Sequence, residues 1–185
     1  MKLHLGCGKR YLKGFIHVDI ANYSHIDYES SVENLSFFEN ETVDEIYTSH
    51  TLEYFSRAEV NSVLTEWWRV LKPSGKLFIT VPDIDSLIEI YKKTNNLKNV
   101  LGPLYGRWEV SGYADPIFHK TIWNENELKE KLLETNFCHI SRFDPVSYLS
   151  AIDPKYDDHS LAYFPHFDAK GIQVSLALSA SKLIC

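Results

Sequence analysis

The 185-residue sequence has few cysteines, no long apolar run and no excess of positive charge. Its three cysteines, Cys7, Cys138 and Cys185, are scattered and odd in number, which predicts a reducing cytoplasm and not a disulfide scaffold. No run of about 18 apolar residues occurs, and the apolar start is too short for a signal peptide, so no membrane span or secretion is predicted. Lys and Arg total 19 against 25 Asp and Glu, giving a net charge of -6. Without a basic cluster, a nucleic-acid partner is disfavoured.

Apolar residues make up 44% and aromatic residues 14% of the chain, enough to close a core against chain entropy. We therefore expect one folded domain over residues 1–185. Strands alternate with helices in the first half, which predicts a mostly parallel α/β sheet. The last two strands, with no helix between them, predict an antiparallel end. The predicted strands are 2–5, 15–20, 30–32, 43–48, 76–81, 137–143 and 172–179, and the predicted helices start at Ser56, Ile84 and Asn124.

Ligands of open parallel sheets bind beyond the carboxyl ends of the strands. Three features would meet at that edge: the loop Leu5-Gly6-Cys7-Gly8 after the first strand, Asp19 after the second, and Thr48-Ser49-His50 after the strand that starts at Val43. Glycines allow a ligand to approach the backbone closely, and a strand-end aspartate can accept hydrogen bonds from a ribose. Each feature alone also fits a plain turn. Their occurrence in this order predicts a nucleoside site.

The glycine loop also limits the identity of that ligand. A dinucleotide-binding loop has a third glycine three residues after the second, and Tyr11 stands there instead. The loop to the next strand is too short for a full crossover helix, and no Lys-Ser or Lys-Thr pair follows as in a phosphate-cradling loop. A nucleoside ligand without phosphates therefore fits better, and a nicotinamide-dependent oxidoreductase is disfavoured.

These stretches resemble class I S-adenosylmethionine-dependent methyltransferases, and most closely a small predicted bacterial branch. The resemblance is carried by residues 3–9, 17–19 and 43–54, and by the stretch from Glu66 to Leu77 with its Arg-Val-Leu-Lys-Pro sequence. Phe118-His119-Lys120 and the stretch from Ala162 to His166 also have counterparts in that branch. The resemblance implies a Rossmann-like, seven-stranded, mostly parallel sheet with an antiparallel last strand. It also implies S-adenosylmethionine as the cofactor.

The resemblance assigns roles to particular residues. Gly6 and Gly8, with Leu5 and Cys7 in the same loop, would lie under the methionine part of the cofactor, and Asp19 would hold the ribose. Asn34 and Leu35 fall where relatives flank the adenine, and Ser49 and His50 would border the site of methyl transfer. Relatives often have N-terminal helices over the acceptor. This sequence starts at its first strand, so we expect a reduced N-terminus, with either a loosened cofactor site or a subunit interface in place of that cover.

The acceptor side has two candidate histidines. His50, at a strand end, is the first candidate base, although a histidine bonded to neighbouring backbone is an equal alternative. His119 lies in an irregular, aromatic and glycine-containing segment over about 95–123, which we expect to close over the acceptor as a lid through His119 and Trp108. Permanent packing or a dimer contact is the alternative for that segment. Asp157-Asp158-His159 has no recognised metal-ligand spacing, so no metal is predicted, and Cys7 fits a packing role better than a nucleophile.

The sequence thus predicts a cytoplasmic methyltransferase acting on a small-molecule, sugar or lipid acceptor. A non-catalytic, methyltransferase-like binding or scaffold protein is the alternative, motivated by the missing N-terminal cover. A homodimer remains open.

Overall fold

The computed structural model describes residues 1–106, 109, 116–165 and 171–182, whose strands form one large sheet and one small ladder. In chain order the strands are β1 (Lys2–Leu5), β2 (Ile16–Asp19), β3 (Tyr28–Glu29), β4 (Val43–Ser49), β5 (Leu71–Pro82), β6 (Cys138–Arg142), β7 (Tyr163–Phe164), β8 (Ile172–Gln173) and β9 (Ser175–Ser181). The helices are α1 (Val60–Val70), α2 (Ile84–Thr94), α3 (Lys98–Tyr105), α4 (Glu125–Glu134) and α5 (Pro145–Ile152).

The large sheet has seven strands in the order β3-β2-β1-β4-β5-β9-β6. The first five strands of the chain pair in parallel. The last strand, β9, runs antiparallel to both of its neighbours, β5 and β6. This arrangement confirms the predicted mostly parallel sheet with an antiparallel last strand. Residues 6–15, between β1 and β2, contain no helix, as the short connection predicted.

Two details of the predicted topology were wrong. The third strand is Tyr28–Glu29 and not residues 30–32. A helix, α5, lies between β6 and β9, where no helix was predicted. It starts because Pro145 occupies the first turn and the Asp144 carboxylate accepts hydrogen bonds from the amides of Val146 and Ser147. The antiparallel end therefore results from the position of β9 between β5 and β6 in the sheet and not from a hairpin.

The capping residues read from the sequence act at two helix starts. Asn124 accepts a hydrogen bond from the Glu127 amide at 2.9 Å at the start of α4. Before α1, the Glu59 carboxylate accepts from the Ser56 amide at 2.6 Å, which is the glutamate half of the predicted capping box. The regular helix then begins at Val60 and not at Ser56.

The apolar stripe of α1 packs on the sheet and carries the largest buried side chain of the core. Trp67 is fully buried, and its Nε1 donates to the carbonyl of Val32 at 2.9 Å. The neighbouring Arg69 donates to the carbonyls of Leu35 and Phe38 and to the Glu66 carboxylate. The Arg-Val-Leu-Lys-Pro stretch therefore holds the loop before β4 against α1. It stabilises the fold and does not contribute to the edge where β1, β2 and β4 end.

Within the described residues, no helix is long and apolar enough to cross a membrane.

Candidate active site

The glycine loop after β1 is held in place by Asp19 at the end of β2. Gly6 and Gly8 have φ values of +65° and +54°, a region that glycine adopts without strain. The Asp19 carboxylate, 1% exposed, accepts hydrogen bonds from the amides of Gly8 at 2.7 Å and Ala21 at 2.8 Å. Burial raises the pKa of Asp19, while these two amides act in the opposite direction. The loop and the aspartate therefore form one rigid unit.

Two cavities open at the carboxyl edge of the sheet. The larger, of about 320 Å³, is lined by residues that include Cys7, Gly8, Ser49 and His50. The smaller, of about 60 Å³, lies beside Asp19, Ser31 and Val32. Both are lined by Gly6, Thr51 and Tyr54. The two cavities are therefore neighbours across the glycine loop.

Most of the predicted cofactor residues lie at these cavities, and three do not. Gly6, Cys7, Gly8, Ser49 and His50 line the larger cavity, and Gly6 and Asp19 line the smaller. Leu5 is fully buried within the sheet.

Asn34 and Leu35, predicted at the adenine, line neither of these cavities. The Asn34 side chain accepts from the Ser36 amide, and Leu35 is buried in the core. Ser31 and Val32, a few residues earlier, line the smaller cavity instead. The sequence analysis missed these two residues because it assigned the adenine contact from the resemblance to the family. The strand β3 ends earlier than predicted, so the residues that follow it at the cavity are also earlier in the chain.

His50 follows β4 and has both ring nitrogens near protein atoms. Its Nε2 lies 2.7 Å from Ser175 Oγ, and its Nδ1 lies 3.6 Å from Glu53 Oε1. The side chain is 12% exposed and lines the larger cavity. Burial lowers the pKa of His50, and His159, His119 and Arg10 lower it further. The ring is thus neutral at physiological pH.

His119 is buried and not on the surface. Its Nδ1 lies 3.0 Å from the carbonyl oxygen of Pro103 in α3, and its Nε2 lies 3.7 Å from Glu53 Oε1. The Tyr54 ring contacts its ring edge to face at 4.7 Å between centroids. Burial is also the main reason that the pKa of His119 is lowered.

Glu53, which the sequence analysis did not select, lies between the two histidines. Its side chain is 0% exposed, and neither carboxyl oxygen has a hydrogen-bond partner among the described residues. Burial raises the pKa of Glu53 to about 8. The available signal was its spacing: an acid three residues after His50, directly after a strand end, falls at the same edge of the sheet.

The Asp157-Asp158-His159 cluster builds one wall of the larger cavity. The buried Asp158 carboxylate accepts from the Tyr47 hydroxyl at 2.5 Å and from the Ser160 amide at 2.7 Å. Asp157 accepts through its carbonyl from Arg10 Nε at 2.7 Å. This anchoring places His159 and Arg10 on the cavity wall. Within the described residues, no group of three or more His, Cys, Asp or Glu side chains is arranged to hold a metal.

Cys7 is buried in the glycine loop, and burial, with Asp19 adding to it, raises the pKa of its thiol. A protonated thiol is a poor nucleophile, which supports the packing role.

The described part of the aromatic segment, which was predicted to be irregular, contains the helix α3 and is only partly buried. Trp123 is buried, and residue 123 forms a β-bridge with Asp83. Tyr105 and Phe118 are exposed. Trp108, predicted to contact the acceptor, lies outside the described residues.

Comparisons with known proteins agree with this geometry. Residues 15–79 match a family model described as a methyltransferase domain. A search of curated proteins gives no match.

Solved structures of methyltransferases share the fold. A Methanosarcina mazei S-adenosylmethionine-dependent methyltransferase is 15% identical with a TM-score of 0.59, covering 100% of this chain and 92% of that one. An Archaeoglobus fulgidus S-adenosylmethionine-dependent methyltransferase is 15% identical with a TM-score of 0.55, over 98% and 85% of the two chains. The Burkholderia thailandensis 1,6-didemethyltoxoflavin-N1-methyltransferase, solved with its substrate and S-adenosylhomocysteine, is 13% identical with a TM-score of 0.55, over 98% and 70%. The family match and the shared fold confirm the resemblance to class I methyltransferases and support an enzyme that uses S-adenosylmethionine.

Proposed function

We propose that the chain transfers the methyl group of S-adenosylmethionine to a polar small molecule bound in the larger cavity. The observation that carries this proposal is the pair of cavities that share Gly6, Thr51 and Tyr54. A ligand that passes over the glycine loop would reach from Asp19 in the smaller cavity to Ser49 and His50 in the larger one. That path matches a nucleoside joined to an amino-acid chain.

The fit of the cofactor rests on the donor and acceptor groups present. Gly8 has no side chain to block the approach of the ligand, whereas the place of a Cβ at Gly6 is filled by Thr51. Asp19 has carboxylate lone pairs beyond those bonded to its two backbone amides. When bound, the cofactor supplies an activated methyl group on a sulfonium. The chain must align the acceptor, exclude water and, for an N–H or O–H acceptor, receive a proton. His50, which lines the larger cavity, is the group proposed for the last task.

The lining of the larger cavity indicates the class of acceptor. No Leu, Ile, Val, Met, Phe or Trp side chain is among the described residues that line it. Instead Arg10, His159 and Tyr156 supply polar groups to its lining. Because lipid-binding cavities are lined mainly by apolar side chains, a sugar-type or other polar acceptor is favoured over a lipid.

Calorimetric titration with S-adenosylhomocysteine and, separately, NADH tests the cofactor assignment. We expect saturable binding of S-adenosylhomocysteine and none of NADH. Binding of neither by protein with a cooperative unfolding transition would favour the non-catalytic scaffold, and binding of NADH alone would overturn the proposal.

Methyl transfer itself is tested by incubating the protein with methyl-labelled S-adenosylmethionine and matched acceptor panels of sugars, sugar phosphates and lipids. Label in the polar panels is the expected outcome, and label confined to lipids would contradict the assigned acceptor class. The cytoplasmic location and the homodimer stay predictions, which fractionation and sedimentation can check.

A further inference from the structure

Glu53 is a buried carboxyl group placed between two histidines of the site. Its Oε1 lies 3.6 Å from His50 Nδ1 and 3.7 Å from His119 Nε2. Neither of its oxygens accepts a hydrogen bond from another described residue, while its own backbone amide lowers its pKa against the effect of burial. An ionised carboxylate without a donor from a neighbouring residue is strongly disfavoured in such a place. The arrangement therefore raises the question of where the proton lies.

The hydrogen bonds of His50 determine which of its nitrogens carries a proton. The Ser175 hydroxyl donates to the carbonyl of His159 at 3.0 Å. Its oxygen can then only accept in the 2.7 Å contact with His50 Nε2, so Nε2 carries the proton. In the neutral ring, Nδ1 is consequently a bare acceptor that faces Glu53.

The same reasoning applies to His119. Its Nδ1 lies 3.0 Å from the carbonyl oxygen of Pro103, which can only accept, so Nδ1 carries the proton. In the neutral ring, Nε2 is bare and faces Glu53 Oε1. Two nitrogen lone pairs thus face one carboxyl group.

We infer that Glu53 is held as the neutral carboxylic acid beside the lone pairs of His50 Nδ1 and His119 Nε2, and that it is a positioning residue whose ionisation changes the proton position of His50. An ionised Glu53 would place three acceptors together without a proton. The raised pKa of Glu53, at about 8, agrees with this assignment. The other groups that face the cluster are Tyr54, next to Glu53, and His159 and Arg10, beyond His50.

The consequence for catalysis rests on the proposed methyl transfer. While Glu53 holds its proton, the His50 Nε2–H is donated to Ser175 Oγ, so Nε2 has no lone pair for another proton. When the Glu53 proton leaves to solvent, the ring proton of His50 can move to Nδ1 and be donated to the Glu53 carboxylate. Nε2 then accepts from the Ser175 hydroxyl, through which the proton of the methyl acceptor can pass to the ring, giving an imidazolium paired with Glu53. Base catalysis by His50 would therefore require ionised Glu53.

Nuclear magnetic resonance of protein labelled with ¹⁵N-histidine tests the proton position without any acceptor. At pH 6.5 we expect His50 protonated at Nε2 and His119 at Nδ1, with assignments from His50→Gln and His119→Gln. In the wild type, the ¹⁵N chemical shifts of both rings should change together in one titration near pH 8. Glu53→Gln should abolish that titration, and the matched surface variant Glu130→Gln should keep it.

Two results would overturn the inference: no response of either ring between pH 6 and 10, or the same response in Glu53→Gln. The wild-type titration decides alone should the variant fail to fold. In the methyl-transfer assay, Glu53→Gln should lose about 100-fold in kcat and the rise of kcat with pH, while its affinity for S-adenosylhomocysteine stays within about twofold. Absence of transfer to every acceptor would count against the proposed function only, since the tautomers are measured separately.

Discussion

Four acidic side chains of the described residues, those of Asp19, Glu53, Asp83 and Asp158, are buried at the carboxyl edge of the sheet, and their partners distinguish them. Asp19, Asp83 and Asp158 each accept a hydrogen bond from the backbone amide of another residue, so each anchors a loop or helix start at that edge. Glu53 accepts none from another residue and instead faces two histidines. A buried carboxylate with donors serves the structure, whereas one without donors is a candidate for chemistry.

The first prediction concerns Asp19, which has a structural task besides the predicted ribose contact. Asp19→Ala should weaken binding of S-adenosylhomocysteine by about 1.5–3 kcal/mol for each charge-assisted bond lost. It should also lower the free energy of unfolding, because the buried amides of Gly8 and Ala21 lose their acceptor. Calorimetry and urea unfolding measure the two effects, with Asp85→Ala on the exposed side of α2 as the control. Unchanged affinity in folded protein would refute the ribose assignment.

At the scale of elements, α3 positions His119 from two directions. The Pro103 carbonyl holds the ring, and Gly106, with φ +54°, leaves the space that the ring fills. A Cβ at Gly106 would lie 2.3 Å from His119 Nε2, whereas one at Gly102 would meet nothing within 4 Å. The two glycines therefore form a matched pair for substitution.

Gly106→Ala should displace His119 and lower the free energy of unfolding by about 1–3 kcal/mol, through the contact and the left-handed backbone. Gly102→Ala should instead leave the His119 resonances unchanged and stabilise the protein by about 0.5–1 kcal/mol, because alanine favours the helix. Urea unfolding and the histidine spectra provide both readouts. Equal effects of the two substitutions would contradict this account of α3.

The segment over 95–123 is still expected to close over the acceptor, and amide exchange tests this. The amides of Lys120 and Thr121 donate to the Glu53 carbonyl at 2.7 and 3.1 Å, so we expect them to exchange slowly without ligand. Other amides of the segment should slow when S-adenosylhomocysteine and an acceptor bind. Full protection of the segment in the empty monomer would contradict a lid. Protection that rises with protein concentration would indicate a homodimer contact.

At the scale of the whole molecule, the buried histidines and Glu53 change the free energy of unfolding in opposite directions as pH rises. Burial lowers the pKa of His4, His50 and His119 in the folded state, so their contribution is lost as pH falls below about 6.5. The pKa of Glu53 is raised to about 8 in the folded state. Between the pKa of the unfolded chain and 8, the carboxyl is ionised in the unfolded chain and protonated in the folded one, so the free energy of unfolding falls as pH rises. Because the three histidines outweigh the one carboxyl until the histidines of the unfolded chain are mostly neutral, stability should be greatest at about pH 7.

Between pH 6.5 and 8, Glu53 should lower the free energy of unfolding by at most about 1.4 kcal/mol for each pH unit. Glu53→Gln removes the ionisable group, so its stability should change less with pH over that range, while Glu130→Gln should follow the wild type. Urea unfolding at half-unit pH steps measures the slopes. Identical slopes for wild type and Glu53→Gln would contradict the raised pKa.

Local sequence patterns were sufficient for most of the elements. β1 and α2 have the predicted bounds, because the spacing of apolar residues, the glycine after β1 and the proline before α2 are local properties. The two-residue β3 and the helix α5 were mispredicted. Short elements carry too few residues for a period, and their bounds depend on which neighbour supplies hydrogen bonds.

The sequence by itself determined the alternation of strands and helices in the first half, the glycine loop, Asp19 and the strand-end His50, since parallel strands bring such residues to one edge. Only the tertiary structure decided that Glu53 lies between His50 and His119, which are 69 residues apart in the chain by their numbers. It also decided that Ser31 and Val32, rather than Asn34 and Leu35, border the smaller cavity. The physical reason is that burial and hydrogen-bond partners, which set charge and tautomer, come from segments distant in sequence.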